Sequence, residues 1–285
     1  MNNKMQLIVS DPPYIFSDNL TMSDVKRGAM TQYSNNGLTI DQLKSLRVPE
    51  VTADDAVLAL WVPSSIISSG LEIMDAWGFR QTQTFIWVKN KIDPWKELKK
   101  SVKAGIKELL AGAYTKEQLI GLIDNFSLND TMAFYMGRIF RQAHEIALIG
   151  VKGKVYPHVK NKSQRSVLFD INKGHSSKPE GFQDRLELIF PDFTNRLEMF
   201  ARRDRPGWRC CGLECPSTMN ESIDVSLEKL ISSNINDLNN QGLETLKILE
   251  SQSKTNISDD VSKQMTSDII ISTETAEEDV SFITV

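Results

Sequence analysis

The stretch Gln6-Leu7-Ile8-Val9-Ser10 runs directly into Asp11-Pro12-Pro13-Tyr14, and this junction decides the fold. A short apolar run with the β-branched residues Ile8 and Val9 is typical of a buried strand. The prolines end the strand, because proline has no backbone N–H to donate to a neighbouring strand. We therefore expect Asp11 at the carboxyl end of a strand, which is where open α/β sheets bind their ligands.

Similar apolar segments recur along the chain and alternate with helical patterns. Five more segments have the composition of buried strands: residues 56–62, 84–88, 145–151, 166–171 and 196–201. Helical patterns fall between them, at residues 40–46, at 65–77 with Gly78 as the stop, and from Pro179 to residue 190. This alternation predicts an α/β fold with a mostly parallel central sheet.

One long segment interrupts this alternation. Residues from about 91 to 136 have helical composition and are too long for an ordinary connection, so we predict a helical insert in the first domain. Lysines crowd its first part and the strand before it, at positions 89, 91, 96, 99, 100, 103 and 107. The pattern is compatible with a solvated helix face or with a surface that contacts phosphates.

The charge distribution divides the chain near Pro216. Residues 217–285 contain 13 acidic and 4 basic residues, a net charge of −9, which leaves 29 basic and 24 acidic residues, or +5, in residues 1–216. We predict one domain over residues 1–216 and an acidic tail over 217–285. Ile223, Leu227, Ile231, Ile235 and Leu238 predict one amphipathic helix in the tail, packed on the body or on a partner, before a largely disordered end.

Composition excludes several classes of protein. The apolar runs are far shorter than the roughly 20 residues that cross a bilayer, and no secretory leader pattern starts the chain, so we expect a cytoplasmic protein. The three cysteines, Cys210, Cys211 and Cys215, lie in one short segment, which favours a reducing compartment. They lack a fourth ligand at a suitable spacing, so we expect no bound metal.

The tetrapeptide Asp11-Pro12-Pro13-Tyr14 has the groups needed to hold a planar amine. The Asp11 carboxylate and the Pro12 carbonyl can both accept hydrogen bonds from one exocyclic amine, and Tyr14 offers a ring for a base to stack on. The residues therefore indicate methyl transfer to a conjugated amine. The same four residues are also compatible with a simple turn at a strand end.

Further blocks along the chain strengthen this interpretation. In order, they are Tyr33 with Gly37-Leu38-Thr39, residues 58–62, Trp77-Gly78-Phe79, residues 86–89, residues 137–141, His144-Glu145 with residues 148–153, residues 175–179, and residues 197–202 ending at Trp208. With these blocks the sequence resembles the MT-A70 family of S-adenosylmethionine-dependent adenine methyltransferases. The resemblance covers about residues 5–214 and implies a Rossmann-like methyltransferase fold.

The resemblance also implies which residues bind S-adenosylmethionine. Asp11 matches the acid of the family's catalytic tetrapeptide, which also lies close to the cofactor's methionine end. Lys178 matches the lysine of a His-Ser-x-Lys-Pro signature, and Arg202 matches the arginine after the last core strand. Glu214 is expected to accept from the ribose hydroxyls, although Leu213 stands where the family commonly has Asn.

A basic stretch is the predicted nucleic-acid contact. Residues 152–165 form a loop after a predicted strand and include Lys154, Lys160, Lys162 and Arg165. Tyr33, in a block shared with the family, is a further candidate for this contact. The alternative for the basic loop is a merely solvated surface.

Together these observations predict an enzyme that methylates the exocyclic amine of adenine in DNA. DNA is favoured over RNA because Tyr14 gives the DPPY form, which resembles the bacterial and phage DNA methylases of the family. Three alternatives remain open: an RNA adenine methyltransferase, a DNA cytosine amine methyltransferase, and a non-catalytic nucleic-acid-binding subunit. The resemblance leaves both a homo-oligomer and a hetero-oligomer open.

Overall fold

The computed structural model describes residues 3–15, 37–135, 137, 139–171 and 177–235, with Glu244 and Lys247. Its centre is a seven-stranded sheet with the strand order β5-β3-β4-β2-β1-β6-β7. The strands are β1 (Met5–Ser10), β2 (Thr52–Val62), β3 (Arg80–Asn90), β4 (His144–Lys152), β5 (Val167–Ile171), β6 (Arg196–Met199) and β7 (Arg209–Cys211).

Helices connect the strands. They are α1 (Ile40–Ser45), α2 (Val48–Val51), α3 (Ile67–Ala76), α4 (Pro94–Leu110), α5 (Lys116–Asp124), α6 (Leu128–Thr131) and α7 (Glu180–Ile189), followed by α8 at 223–235. The six predicted strands and three predicted helices are present, with ends that differ by a few residues. β7 was not predicted, because its three residues are too short to carry a periodic pattern.

The sheet is mostly parallel, as predicted, and one strand runs against the others. β4 is antiparallel to both of its neighbours, β2 and β3, whereas every other neighbouring pair of described strands is parallel. Val62 therefore lies opposite Ile146, and Ala56 lies opposite Lys152. The start of β4 lies at the carboxyl edge of the sheet, and its end lies at the amino edge.

The sheet buries apolar side chains on both faces. Along β2, Leu58 and Leu60 belong to one apolar cluster, whereas Val57 and Ala59 belong to the other. This division follows from the two-residue period of a strand. The first cluster packs against α1, α3 and the start of α8, and the second packs against α7. The result is a three-layer α/β/α architecture, consistent with the Rossmann-like fold that the resemblance implies.

The first compact unit extends beyond the predicted boundary at residue 216. It runs to Ile231, and a second unit covers Ser232–Val285. Ile223, Leu227 and Ile231, which we assigned to the tail, are buried in the first apolar cluster. The reason is the apolar stripe of α8, which is buried in the same apolar cluster as side chains of the sheet and of α1. Leu238 and the end predicted to be disordered lie outside the described residues.

Among the described residues, no helix is both long and apolar enough to cross a membrane.

Candidate active site

Asp11 directly follows β1 at the carboxyl edge of the sheet. Ser10, the last residue of β1, lies opposite Leu60 of β2 and Met199 of β6, so Asp11 emerges between two parallel neighbours. The Tyr14 N–H donates to the Pro12 carbonyl over 3.0 Å, which closes a tight turn around Pro13. This turn fixes the course of the backbone directly after Asp11.

The Asp11 carboxylate belongs to a network of four charged side chains. Lys178 Nζ donates to Asp11 Oδ2 at 2.6 Å and lies 3.2 Å from Glu145 Oε2. Glu145 also accepts from Lys89. The side chains of Asp11 and Lys178 are only 29% and 19% exposed. Two acids and two cations thus balance each other in charge at a partly buried position.

The reversed strand explains how Glu145 enters this network. Glu145 is near the start of β4, where it lies opposite Trp87 of β3. Because β4 runs against its neighbours, its start meets the carboxyl ends of β1, β2 and β3. Lys89 lies near the end of β3 at the same edge. The sequence analysis did not predict Glu145 or Lys89 as site residues. A charged residue at the end of an otherwise apolar run was the feature that could have identified each of them.

Burial and charge set the protonation of this network. Burial raises the pKa of Asp11; Lys178 opposes that rise, and Glu145 adds to it. For Lys178, burial lowers the pKa, but Asp11 and Glu145 outweigh it and raise the pKa above its ordinary value. For Glu145, burial is outweighed by Lys178 and Lys89, which lower the pKa. Burial and charge therefore shift the pKa values of the two acids in opposite directions, that of Asp11 upwards and that of Glu145 downwards.

Tyr14 lies in the first apolar cluster and not on an open surface. It is 4% exposed, and its hydroxyl donates to the Trp61 carbonyl at 2.8 Å. Its backbone forms a parallel bridge with Leu38. Burial and the neighbouring Asp11 raise the pKa of Tyr14 well above its usual range. The residue anchors the turn, and its predicted stacking role stays a prediction.

A cavity of about 470 Å³ opens beside Asp11. This volume is within the range of small-molecule sites. Its wall combines charged with apolar side chains and includes all four residues predicted to bind the cofactor: Asp11, Lys178, Arg202 and Glu214, together with Val9, Trp61, Ser177, Phe182, Glu198, Met199, Phe200 and Arg203. The tertiary structure thus brings together residues that are about 200 positions apart in the sequence.

The side chains of this cavity fit a zwitterionic nucleoside such as S-adenosylmethionine. Arg202 Nε and Nη2 donate to the two carboxylate oxygens of Glu214 at 2.9 and 3.0 Å, which places a cation and an acceptor at one end. Trp61 Nε1 is buried in the wall and has no hydrogen-bond partner among the described residues. Such an unmatched buried donor is rare in native proteins, and here it belongs to a residue of the cavity wall.

The turn after β6 forms part of the wall and is strained. Phe200 has a φ of +61°, in the left-handed region that usually requires glycine. Gly212 lies against this turn: a Cβ at residue 212 would come within 2.2 Å of the Ala201 carbonyl oxygen. The two chain segments that carry Arg202 and Glu214 therefore approach each other at backbone contact distance.

Glu198 is another cavity residue that sequence reasoning missed. It lies in β6 and accepts from Gln183 at 2.9 Å, and Arg203 Nη1 lies 3.5 Å away. Burial raises the pKa of Glu198. An acid between the apolar residues Leu197 and Met199 of a short strand was the signal that could have identified it.

The structure does not bring the predicted nucleic-acid residues to this cavity. Lys154 follows the end of β4 at the amino edge of the sheet, opposite to Asp11. The Lys160 N–H donates to the Ile189 carbonyl at the end of α7, and its ammonium lies 3.2 Å from Asp192. Lys162 and Arg165 continue this exposed loop towards β5. Tyr33 lies outside the described residues. The loop reaches the amino edge because β4 is reversed.

The cysteines are buried side chains of β7 and the turn after it. Cys210, Cys211 and Cys215 are all free thiols, and Cys215 Sγ donates to Asp204 at 3.3 Å. In the described ranges, no three His, Cys, Asp or Glu side chains are grouped so that they could hold a metal ion.

Comparisons with known proteins agree with this geometry. The MT-A70 family model matches residues 5–120 and 125–214. The type II methyltransferase M.MunI from Mycoplasma sp is 26% identical over 227 residues, which cover 75% of this chain and 78% of that protein. Human METTL3, the catalytic subunit of an N(6)-adenosine-methyltransferase, is 22% identical over 211 residues, 73% of this chain but 28% of METTL3.

A plant relative shows the same pattern of partial coverage. A probable N(6)-adenosine-methyltransferase of rice is 24% identical over 72% of this chain, which spans only 22% of the rice protein. The chain therefore spans about a quarter of the plant and animal relatives. The family match includes the turn with Asp11 and the segments with Lys178, Arg202 and Glu214. The chain belongs to the MT-A70 family of S-adenosylmethionine-dependent N6-adenosine methyltransferases.

Proposed function

We propose that the protein transfers a methyl group from S-adenosylmethionine to the exocyclic amine of adenine in DNA. The observation that carries this proposal is the position of Asp11, between the rigid Pro12-Pro13 turn and a cavity lined by Lys178, Arg202 and Glu214. An acceptor for the amine and the groups for the cofactor thus share one opening.

Four side chains are proposed to bind the cofactor. When bound, S-adenosylmethionine supplies an electrophilic methyl group on a sulfonium. Lys178 has three N–H donors, of which Asp11 and Glu145 take two, so one remains for an anion such as the methionine carboxylate. Arg202 and Glu214 supply a donor and an acceptor for carboxylate or ribose oxygens.

Asp11 and Pro12 are proposed to orient the substrate amine. Lys178 occupies Asp11 Oδ2, and no hydrogen bond among the described residues occupies Oδ1. The Pro12 carbonyl accepts from Tyr14 and has a second lone pair. Two acceptors can therefore take both N–H groups of one amine, which draws its lone pair out of conjugation and aims it at the methyl group. Asp11 must be ionised for this role.

Coverage of the relatives supports DNA over RNA. The bacterial type II methyltransferase matches this chain over most of both sequences, which suggests DNA as the substrate, whereas the adenosine methyltransferases of plants and animals match over about a quarter of their length. The DPPY form of the tetrapeptide points the same way. The experiment described next also distinguishes the three alternatives: methylation of adenine in RNA, methylation of the cytosine amine in DNA, and a non-catalytic role in nucleic-acid binding.

The test is incorporation of a labelled methyl group. The full chain is incubated with labelled S-adenosylmethionine and either duplex DNA or RNA of the same sequence, and the labelled nucleoside is identified. We expect N6-methyladenine in DNA, and a loss of at least about 100-fold in turnover for Asp11→Ala, as for removal of one oriented hydrogen-bonding group.

The contrary results are distinct from one another. Label in RNA alone would replace DNA as the substrate, and label in cytosine would change the target base. Transfer by Asp11→Ala at the wild-type rate, with an unchanged melting temperature, would refute the catalytic role of Asp11.

A further inference from the structure

The helical insert is rooted at the edge of the sheet that holds Asp11. The chain leaves β3 at Asn90 and returns at Met132, which forms a bridge with Asn90. On return, the Ala133 N–H donates to the Lys89 carbonyl at 2.7 Å. β2 and β4 separate β3 from β1, so the root lies about 14 Å from the Asp11 strand at ~4.8 Å per strand.

The longest helix of the insert, α4, has a basic outer face. Its inner stripe includes buried Pro94 and Gly105 at helical spacing. Five exposed lysines lie on the opposite face: Lys96, Lys99, Lys100, Lys103 and Lys107. Only Lys100 has a carboxylate nearby, with Glu97 at 3.9 Å; within the described part of the chain, the other four form no ion pair.

Packing within the insert holds this face in place. A Cβ at Gly105 would lie 2.8 Å from Leu119 Cδ1, so α4 and α5 meet closely at that position. The Asp93 carboxylate caps the start of α4 by accepting from the N–H groups of Trp95 and Lys96. Thr115 and Gln118 form a capping box at the start of α5. The lysines therefore project from a defined helix.

Two cations and one aromatic ring cluster at the root of the insert. Phe134 is 65% exposed, with Lys91 Nζ 5.5 Å and Arg141 Cζ 4.9 Å from its ring centroid. Phe134 follows Ala133 at the root of the insert, where Ala133 is bonded to Lys89 of the Asp11 network. Positive charge is thus present at the root of the insert as well as on α4.

We propose that the basic face of α4 binds the sugar–phosphate backbone of duplex DNA beside the target adenine. This inference rests on the proposed function and identifies the surface that positions its substrate. From Lys96 to Lys107 the helix rises about 16 Å at ~1.5 Å per residue. At ~3.4 Å of DNA axis per phosphate on one strand, that length matches about five phosphates.

The chemistry of the face favours backbone contact over base reading. Lysine is a mobile point charge without the fixed fork of arginine, so it follows phosphates without selecting a base. The predicted loop with Lys154 and Lys160 lies at the other edge of the sheet, where bound DNA could not place an adenine at Asp11. The α4 face therefore determines affinity and its salt dependence, and another surface determines the recognition sequence.

The experiment compares two sets of substitutions in the full chain. The helix variant carries Lys99→Gln, Lys103→Gln and Lys107→Gln, and the loop variant carries Lys154→Gln, Lys160→Gln and Lys162→Gln. Affinity for a mixed-sequence duplex is measured at several salt concentrations. Log affinity falls with log salt, and each lost phosphate contact reduces the steepness of this fall by about 0.9. We therefore expect the steepness to decrease by about 2.7 in the helix variant.

Two further readouts separate binding from folding and chemistry. We expect an unchanged melting temperature, because the lysines are exposed and glutamine has a similar helix propensity. We also expect an unchanged affinity for S-adenosylmethionine. The KM for DNA should rise while kcat at saturating DNA is kept. Lys→Arg substitutions at the same three positions should preserve the wild-type slope, because they keep the charge.

The outcomes distinguish this inference from the proposed function. A helix variant with the wild-type slope overturns the α4 surface, even if the enzyme methylates DNA. A lower slope in the helix variant supports the surface, even if the labelled nucleoside is not N6-methyladenine. A reduced salt dependence in the loop variant alone would show that the loop, and not α4, binds the DNA backbone. A reduced salt dependence seen only with single-stranded RNA would show that α4 binds RNA and not duplex DNA.

Discussion

Asp11 and Glu145 are two carboxylates in one network with opposite pKa shifts. Burial raises the pKa of Asp11, whereas Lys178 and Lys89 lower the pKa of Glu145 in spite of its burial. Different environments thus favour the protonated form of Asp11 and the ionised form of Glu145, each relative to the ordinary carboxyl. Such a division is typical of sites in which one acid carries the reaction and a neighbour sets its charge.

The sign of this coupling predicts opposite shifts in the pH dependence of activity. Activity falls at acid pH as Asp11 becomes protonated. Glu145 raises the pKa of Asp11, so Glu145→Gln should lower it and move the acid limb to lower pH. Lys178 lowers the pKa of Asp11, so Lys178→Gln should move the limb to higher pH.

The measurement is kcat against pH at saturating S-adenosylmethionine for the two variants and the wild type. The position of the limb is compared, and not the maximal rate, because both variants also change the cavity. Shifts in the same direction in both variants would refute the assignment of the limb to Asp11.

At the scale of elements, the contact between β7 and the turn after β6 shapes one end of the cavity. The Ala201 N–H donates to the Cys211 carbonyl at 2.9 Å, and the Gly212 N–H donates to Thr218 Oγ1 at 3.0 Å. Only glycine fits at residue 212, because the Phe200 and Ala201 backbones occupy the place of a Cβ. This contact sets the separation of Arg202 and Glu214.

Gly212→Ala should therefore weaken both folding and cofactor binding. The added methyl group must displace backbone, which we expect to cost at least about 2 kcal/mol of unfolding free energy. Affinity for S-adenosylmethionine should fall as the Arg202–Glu214 pair separates. Denaturant titration and calorimetry measure the two effects.

Gly121→Ala, in α5, is the matched control. A Cβ there would meet nothing closer than Asn125 Nδ2 at 3.9 Å. Alanine should stabilise the helix by up to about 1 kcal/mol and leave cofactor affinity unchanged. Equal losses of cofactor affinity in both variants would show that the contact at residue 212 does not shape the cavity.

At the scale of the whole molecule, the first compact unit includes the start of the acidic segment, up to Ile231 in α8. Ile223, Leu227, Leu230 and Ile231 are buried against the first apolar cluster, and Glu228 pairs with Arg47 of the body. The start of the acidic segment is therefore part of the domain and not an appendage to it. A cut after residue 216 would expose that apolar surface to water.

We expect the fragment 1–216 to aggregate or to melt at a lower temperature than the full chain. Burial of apolar side chains contributes about 25 cal/mol per Å², so the loss of four of them is a large fraction of a domain's stability. The fragment 1–235 keeps α8 and should melt close to the full chain. Equal melting temperatures for the two fragments, without aggregation, would show that α8 contributes nothing to the domain.

The sequence by itself determined six strands, the main helices and the strand-end position of Asp11, since each depends on local periodicity and on proline. Resemblance to the family implied that Lys178, Arg202 and Glu214 bind the cofactor, and the tertiary structure places them in one cavity. Only the tertiary structure decided the direction of β4, because an apolar strand reads the same in either direction. That single reversal placed Glu145 beside Lys178 and moved the Lys154–Arg165 loop to the far edge. Likewise, a helix pattern does not state its partner, so packing alone decided that α8 covers the domain core.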